Sequence, residues 1–364
     1  MGSPKGLSVV TAGLARDDGT DGGRIRPGPT HLRPVAAVDH ADLSEPSAGM
    51  VVHRVLAGAA RSFLLNDMGD DLVDETRRHQ TVGALNLLMQ DRPEWARSTA
   101  TELDRAVRAD THTERIHQSR VAMRRIRSTL RTFRLLVDPA WGTALRAELS
   151  WYGACLGQAR DLGFIHELVT TTGPEVATAW QAARLEQVVS DRLAVVLADI
   201  TAQRGGARRF QLTEQMMVLW DGPHFNTKAD LPAAEALPSM VQRAWHDMRG
   251  AARTARKQPN EANLHALRIR LKDLRYGCET VAMAEGGPAK KTAKAAERLQ
   301  SKLGDVHDAR FSIDWLRAVS KERPELAEPV EALVAVEREA GAEARKGWKR
   351  ELKEVERRWR AWQA

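Results

Sequence analysis

Two stretches of the chain share one pattern, H-x2-R-x3-(R/K)-x2-R. They are HQSRVAMRRIR at 117–127 and HALRIRLKDLR at 265–275. The first places His117, Arg120, Arg124 and Arg127 where the second places His265, Arg268, Lys272 and Arg275. A second motif repeats in the same register. LGQARD (156–161) begins 39 residues after His117, and LGDVHD (303–308) begins 38 residues after His265. Two motifs recurring at nearly one offset read as an internal duplication, which requires two similar units built one after the other.

The spacing sets the type of unit. At about 100° per residue, His117, Arg120, Arg124, Arg127 and Arg131 share an arc of roughly 80° on a helix. Met123, Ile126, Leu130, Phe133 and Val137 form an apolar stripe beside them, and Leu271, Leu274, Cys278 and Val281 repeat it. Helical periodicity continues through the chain, and no convincing period-2 strand occurs. The predicted class is all-α, as two four-helix bundles related by a pseudo-two-fold axis. Order is expected to begin at an amphipathic helix near residue 48 with Ser47 as N-cap. Helices are then expected at about 73–90, 93–109, 113–137, 139–156, 161–171, 174–203 and 208–220. Beyond DGPHFNTKADLP (221–232) they are expected at about 236–257, 260–284, 288–304, 307–321 and 324–363. This divides the chain into a loosely ordered tail (1–47), a first bundle (48–225) carrying an insertion at about 70–110, and a second bundle (226–364).

The stripes carry the functional content. No Asp or Glu occurs between Glu114 and Asp138, so the acid–base pairing of a solvated helix face is missing and the charge must be met from elsewhere. The same stripe appearing twice points to a shared anion site. Arginine suits phosphate because its planar fork donates two hydrogen bonds and keeps its charge when desolvated, whereas Lys272 acts as a point charge. A net charge of +7 and a pI near 9.6 lean the same way. Two cysteines support neither a disulfide framework nor a thiolate metal site, and a reducing compartment is expected. No apolar run of about 18 residues stands out as a membrane span, and the first thirty residues lack the apolar middle of a secretory signal. A cytoplasmic protein without a membrane partner is therefore expected.

HQSRVAMRRIR, LGQARD, LHALRIRLKDLRY and LGDVHD, in that order, resemble the CHAD family, the conserved-histidine α-helical domain. The resemblance extends over about residues 48–364. It implies two symmetry-related four-helix bundles whose basic helix faces line a central groove that binds inorganic polyphosphate, and localisation to polyphosphate granules. Some family members are fused to a triphosphate-processing CYTH domain, whose alternating ExExK-like strands this chain lacks. The insertion at about 70–110 and the long tail depart from the family outline.

On this reading the polyphosphate-binding candidates are His117, Arg120, Arg124, Arg125, Arg127 and Arg131 from the first half, and His265, Arg268, Lys272, Arg275 and Tyr276 from the second. Arg160 and His307 join them from the LG motifs, and Lys290, Lys294 and Arg298 from one side of a later helix. The histidines either hydrogen-bond between helices or contact phosphate as imidazolium. A metal role conflicts with the surrounding arginines and the missing third ligand. Gly157 and Gly304 end a helix or permit close packing, and Asp161 and Asp308 cap the next helix or hold a stripe arginine. Glu279 matches the family's RY-x2-E form and is expected to orient Arg275, while the Tyr276 ring packs. Trp141, Trp151, Trp180, Trp220, Trp245 and Trp315 are expected in the core, with Trp348, Trp359 and Trp362 over a bundle end.

No catalytic residue, metal or cofactor is expected. The alternatives are a metal-dependent enzyme or accessory acting on triphosphate or polyphosphate, and non-specific nucleic-acid binding. The latter is disfavoured because no aromatic interleaves the bases between Arg120 and Arg131.

Overall fold

The computed structural model describes residues 46–67 and 112–363, and these are all-helical. The predicted tail, and the helices expected at 73–90 and 93–109, lie outside the described residues. Five helices precede the break at 222–232: α1 (Ala48–Asp67), α2 (His112–Thr132), α3 (Pro139–Val176), α4 (Ala179–Arg204) and α5 (Ala207–Asp221). Five follow: α6 (Ala233–Lys257), α7 (Glu261–Glu285), α8 (Gly287–Glu322), α9 (Ala327–Arg345) and α10 (Trp348–Gln363). Each half of the described chain thus holds five helices rather than the expected four.

Local chemistry sets the ends. Ser47 Oγ accepts from the Met50 amide, as expected of an N-cap. Asp138 caps α3 ahead of Pro139, and Thr178 and Gln181 form a capping box on α4. Two expectations fail at the long helices. The LG motifs interrupt nothing: the segments predicted as 139–156 and 161–171 are one helix of 38 residues, and those predicted as 288–304 and 307–321 are one of 36. Gly157 and Gly304 sit buried inside these helices, where lateral packing offsets their low helix propensity. Conversely, the helix expected over 324–363 divides into α9 and α10, because Gly347 adopts φ +77 in a connection that only glycine enters freely.

Both apolar stripes are buried as predicted. Ile126 of α2, Phe133 just past its end, and Leu271, Leu274, Cys278 and Val281 of α7 have no exposed surface. They belong to one core that draws on α1, α2, α3, α5 and the end of α4 from the first half and α6, α7, α8 and α10 from the second. A smaller core joins the C-terminal parts of α3 and α8 to α4 and α9, through Leu185, Val189, Leu316, Leu333 and their neighbours. The break at 222–232 lies across the chain rather than outside it, because Asp138 and Ala48 donate their amides to His224 and Leu231. Gly277 of α7 lets α2 and α6 press close: a Cβ there would stand 3.2 Å from both Thr132 and Val241.

Two further expectations are corrected. Helix α1 is long and apolar enough to cross a membrane by length and composition, yet 67% of that window is buried in the protein core. Trp180 is 61% exposed at the first turn of α4 instead of lying in the core. Trp245 and Trp359 stack at 4.7 Å with Trp362 edge-on, closing the end where α6 meets α10.

Candidate functional site

Helix α2 crosses α7, and the two stripes meet where α3 and α8 flank the crossing. The result is a cavity of about 560 Å³. Arg120, Arg124, Arg125, His117 and Arg160 line it from the first half, and His265, Arg268, Lys272, Arg275, Tyr276 and His307 from the second. Asp161, Asp305 and Asp308 are the acidic lining residues, so six arginines and a lysine face three carboxylates.

The remaining predicted residues lie elsewhere. Arg127 and Arg131 continue the α2 stripe beyond the cavity, where Arg131 pairs with Asp273 at 2.9 Å. Lys290 and Lys294 are exposed outside the cavity, and Arg298 faces Glu351 at 3.6 Å. These three residues lie on α8, but its basic side faces away from the crossing because Ala289, Ala293 and Ala296 take the buried side.

The glycines explain how arginine is held. Arg120 lies across α3 and donates from Nη1 to the Gly157 carbonyl at 3.0 Å and to Asp161 at 3.5 Å. A Cβ on Gly157 would stand 3.5 Å from Arg120 Nη2, and one on Gly304 3.2 Å from Arg268 Nη2. Each LG motif is therefore a flat seat for the arginine three residues after the motif histidine. Asp161 holds a stripe arginine rather than capping a helix. Glu279 accepts from Arg275 Nε at 2.7 Å, as expected, and also from Arg125 of the other half at 2.6 Å. The Tyr276 ring is buried beneath both guanidiniums, 5.2 Å from Arg125 and 5.5 Å from Arg275.

Other cavity groups are poorly compensated. The buried Nε atoms of Arg124 and Arg268, and Nδ1 of His265 and His307, have no hydrogen-bond partner among the described residues. Orphaned buried donors are rare because each costs about 1–3 kcal/mol. Burial pushes Lys272 down to about 7, aided by Arg268, Arg124 and Arg120. It pushes His265 down to about 4, aided by His307 and Arg268. His117 and His307 are lowered chiefly by burial and then by Arg160 and Arg268 respectively. Arg120 is lowered and Asp161 raised although they pair, because burial outweighs their attraction at 3.5 Å.

The histidines separate. His117 Nδ1 accepts from Arg160 Nε at 3.4 Å, while the His265 and His307 rings lie 4.5 Å apart. Among the described residues no group of three or more His, Cys, Asp or Glu side chains is placed to hold a metal ion. Sequence reasoning missed the His265–His307 contact and the lining residues Phe164 and Phe311. The signal for the phenylalanines is present, since each LG motif continues as D-x2-F, DLGF at 161–164 and DARF at 308–311.

Comparison with known proteins agrees with the all-helical fold. No curated protein matches in sequence. Solved structures share the fold, among them the following two. One is PptA from Streptomyces chartreusis, at TM-score 0.58 and 17% identity, covering 84% of this chain and 99% of that one. The other is the CHAD domain from the plant Ricinus communis, at TM-score 0.59 and 19% identity, covering 90% and 96%. The family model of the CHAD domain matches residues 96–317, which contain both histidine motifs and both LG motifs, and the chain belongs to the CHAD domain family.

Proposed function

We propose that the cavity binds inorganic polyphosphate and performs no chemistry on it. The observation that carries this reading is the convergence of buried, unpartnered guanidinium donors from both halves, Arg124 and Arg268, on one strongly basic cavity. A chain of phosphates supplies acceptors at regular intervals and offsets the mutual repulsion of the cations, so binding stabilises the fold by mass action. Binding targets the protein to polyphosphate granules. The halves are two copies of one unit about a pseudo-two-fold axis. The paired placements of Arg120 on Gly157 and Arg268 on Gly304 support that symmetry.

Calorimetric titration with long polyphosphate, tripolyphosphate, orthophosphate and single-stranded DNA at equal salt tests the assignment. Long polyphosphate is expected to bind best and orthophosphate poorly. The salt slope should be on the order of −0.7 per phosphate contact, if single-stranded nucleic acid is a guide. Arg124→Glu and Lys272→Glu should each weaken binding by about tenfold or more, given about 1.5–3 kcal/mol per charge-assisted contact, while Lys353→Glu in α10 should not. A first-half variant binding normally while the second-half variant fails would replace the shared cavity by a site in one half. Phosphate release from polyphosphate by purified protein would overturn the non-enzymatic reading.

A further inference from the structure

The duplicated stripe is broken at one position. Where the first half has Arg124, the second has Lys272, and both side chains line the same cavity. The exchange changes the chemistry, because a guanidinium stays protonated whereas an ammonium in a desolvated cationic site releases its proton and becomes a nucleophile. Lys272 is placed for that. Among the described residues it makes no ion pair. Arg268 and Arg275 stand one turn to either side of it on α7, and Arg120 and Arg124 approach from α2. Arg160 and Asp161 face the cavity from α3, and Asp305, His307 and Asp308 from α8.

We propose that Lys272 is a covalent modification site, whose ε-amine condenses with the carbonyl carbon of small phosphorylated aldehydes while the neighbouring arginines seat their phosphate. The nitrogen lone pair forms the C–N bond as the carbonyl π pair moves to oxygen. One N–H proton passes to that oxygen to give the carbinolamine, which then loses its hydroxyl and the second N–H proton as water and leaves an imine. No oxidant or reductant is needed. The state of the amine agrees with the geometry: with its pKa pushed down to about 7, Lys272 is partly neutral at pH 7. An exposed lysine at about 10.4 is neutral there on the order of a thousandfold less. The phosphate seat rests on the anion-binding reading above. Its consequence is competition, since an adduct on Lys272 occupies the middle of the cavity and excludes a polyanion.

The probe is pyridoxal 5′-phosphate, followed by borohydride reduction and peptide mass mapping of the full chain. One reduced adduct per chain is expected, on Lys272. It should be suppressed by tripolyphosphate, and formed about tenfold or more slowly by pyridoxal, which lacks the phosphate contact. Lys272→Arg, which restores the first half's residue, should lose the adduct, with an unchanged helical signal excluding loss of the fold. Adducts confined to Lys290, Lys294 or Lys302 overturn the proposal. If they are, and tripolyphosphate nevertheless binds, the modification site falls and the anion-binding reading stands. Equal labelling of Lys272 by pyridoxal and its phosphate, without protection by tripolyphosphate, removes the phosphate seat and the anion-binding reading with it.

Discussion

Arg131 of α2 donates to Asp273 of α7 at 2.9 Å, and Arg125 donates to Glu279 at 2.6 Å. The register that aligns His117 with His265 aligns Arg125 with Asp273 and Arg131 with Glu279. The two ion pairs are thus one contact made twice, with base and acid exchanged between the halves. Had α7 carried arginine where α2 does in this register, the crossing would set arginine against arginine. Acids at 273 and 279 allow the two basic helices to pack while Arg120, Arg124, Arg268 and Lys272 stay directed at the cavity.

Asp273→Asn should therefore destabilise the protein. Asp273 is buried and also accepts from Ser128 at 2.8 Å. Arg131 keeps 35% of its side chain in water, so the loss is about 1–3 kcal/mol rather than the 3–5 of a fully buried pair. Urea unfolding measures it, and an unchanged midpoint would show that the pair does not join the helices.

The two kinds of glycine should respond oppositely. A Cβ on Gly277 meets Thr132 on one side and Val241 on the other, each at 3.2 Å. Neither can withdraw without moving its helix, so Gly277→Ala should cost about 1–3 kcal/mol. A Cβ on Gly304 meets only the end of the Arg268 side chain. Gly304→Ala should leave stability unchanged or raise it by up to about 1 kcal/mol, while displaced Arg268 weakens polyphosphate binding. Melting temperature and calorimetry together separate these outcomes. Reduced stability with full affinity for Gly304→Ala would contradict the role of the LG motif as an arginine seat.

Binding should be linked to protons. Folding holds His265 at about 4 against its ordinary 6.5, so the unfolded chain binds more protons between these values and the free protein loses stability as pH falls from 6.5 through 4. Lys272, held at about 7 against 10.5, contributes in the same sense as pH falls from 10.5 to 7. A bound polyanion raises both. Polyphosphate affinity should therefore increase as pH is lowered from about 8 to 6, with proton uptake measured by titration in buffers of different ionisation enthalpy. Affinity that tightened with rising pH would contradict the linkage.

The helical class, the two apolar stripes and most of the cavity cations were readable before any coordinates, because they are periodic properties of single helices. A stripe at 3.6-residue spacing shows which side of a helix is buried and which is basic wherever that helix packs. The motif H-x2-R-x3-(R/K)-x2-R, which occurs twice, pairs Arg120 with Arg268 for the same reason. What the glycines do was not readable. Gly157 and Gly304 look like helix ends until Arg120 and Arg268 lie across them, and that depends on the approach of a second helix. Nor could spacing place Arg131 with Asp273 outside the cavity, or direct Arg298 towards Glu351, since each position depends on a crossing between segments more than fifty residues apart in sequence. The low pKa of Lys272 is likewise a property of the assembled cavity. On an isolated helix its ammonium would be hydrated, whereas burial among the neighbouring helices removes that water and α2 brings Arg120 and Arg124 beside it.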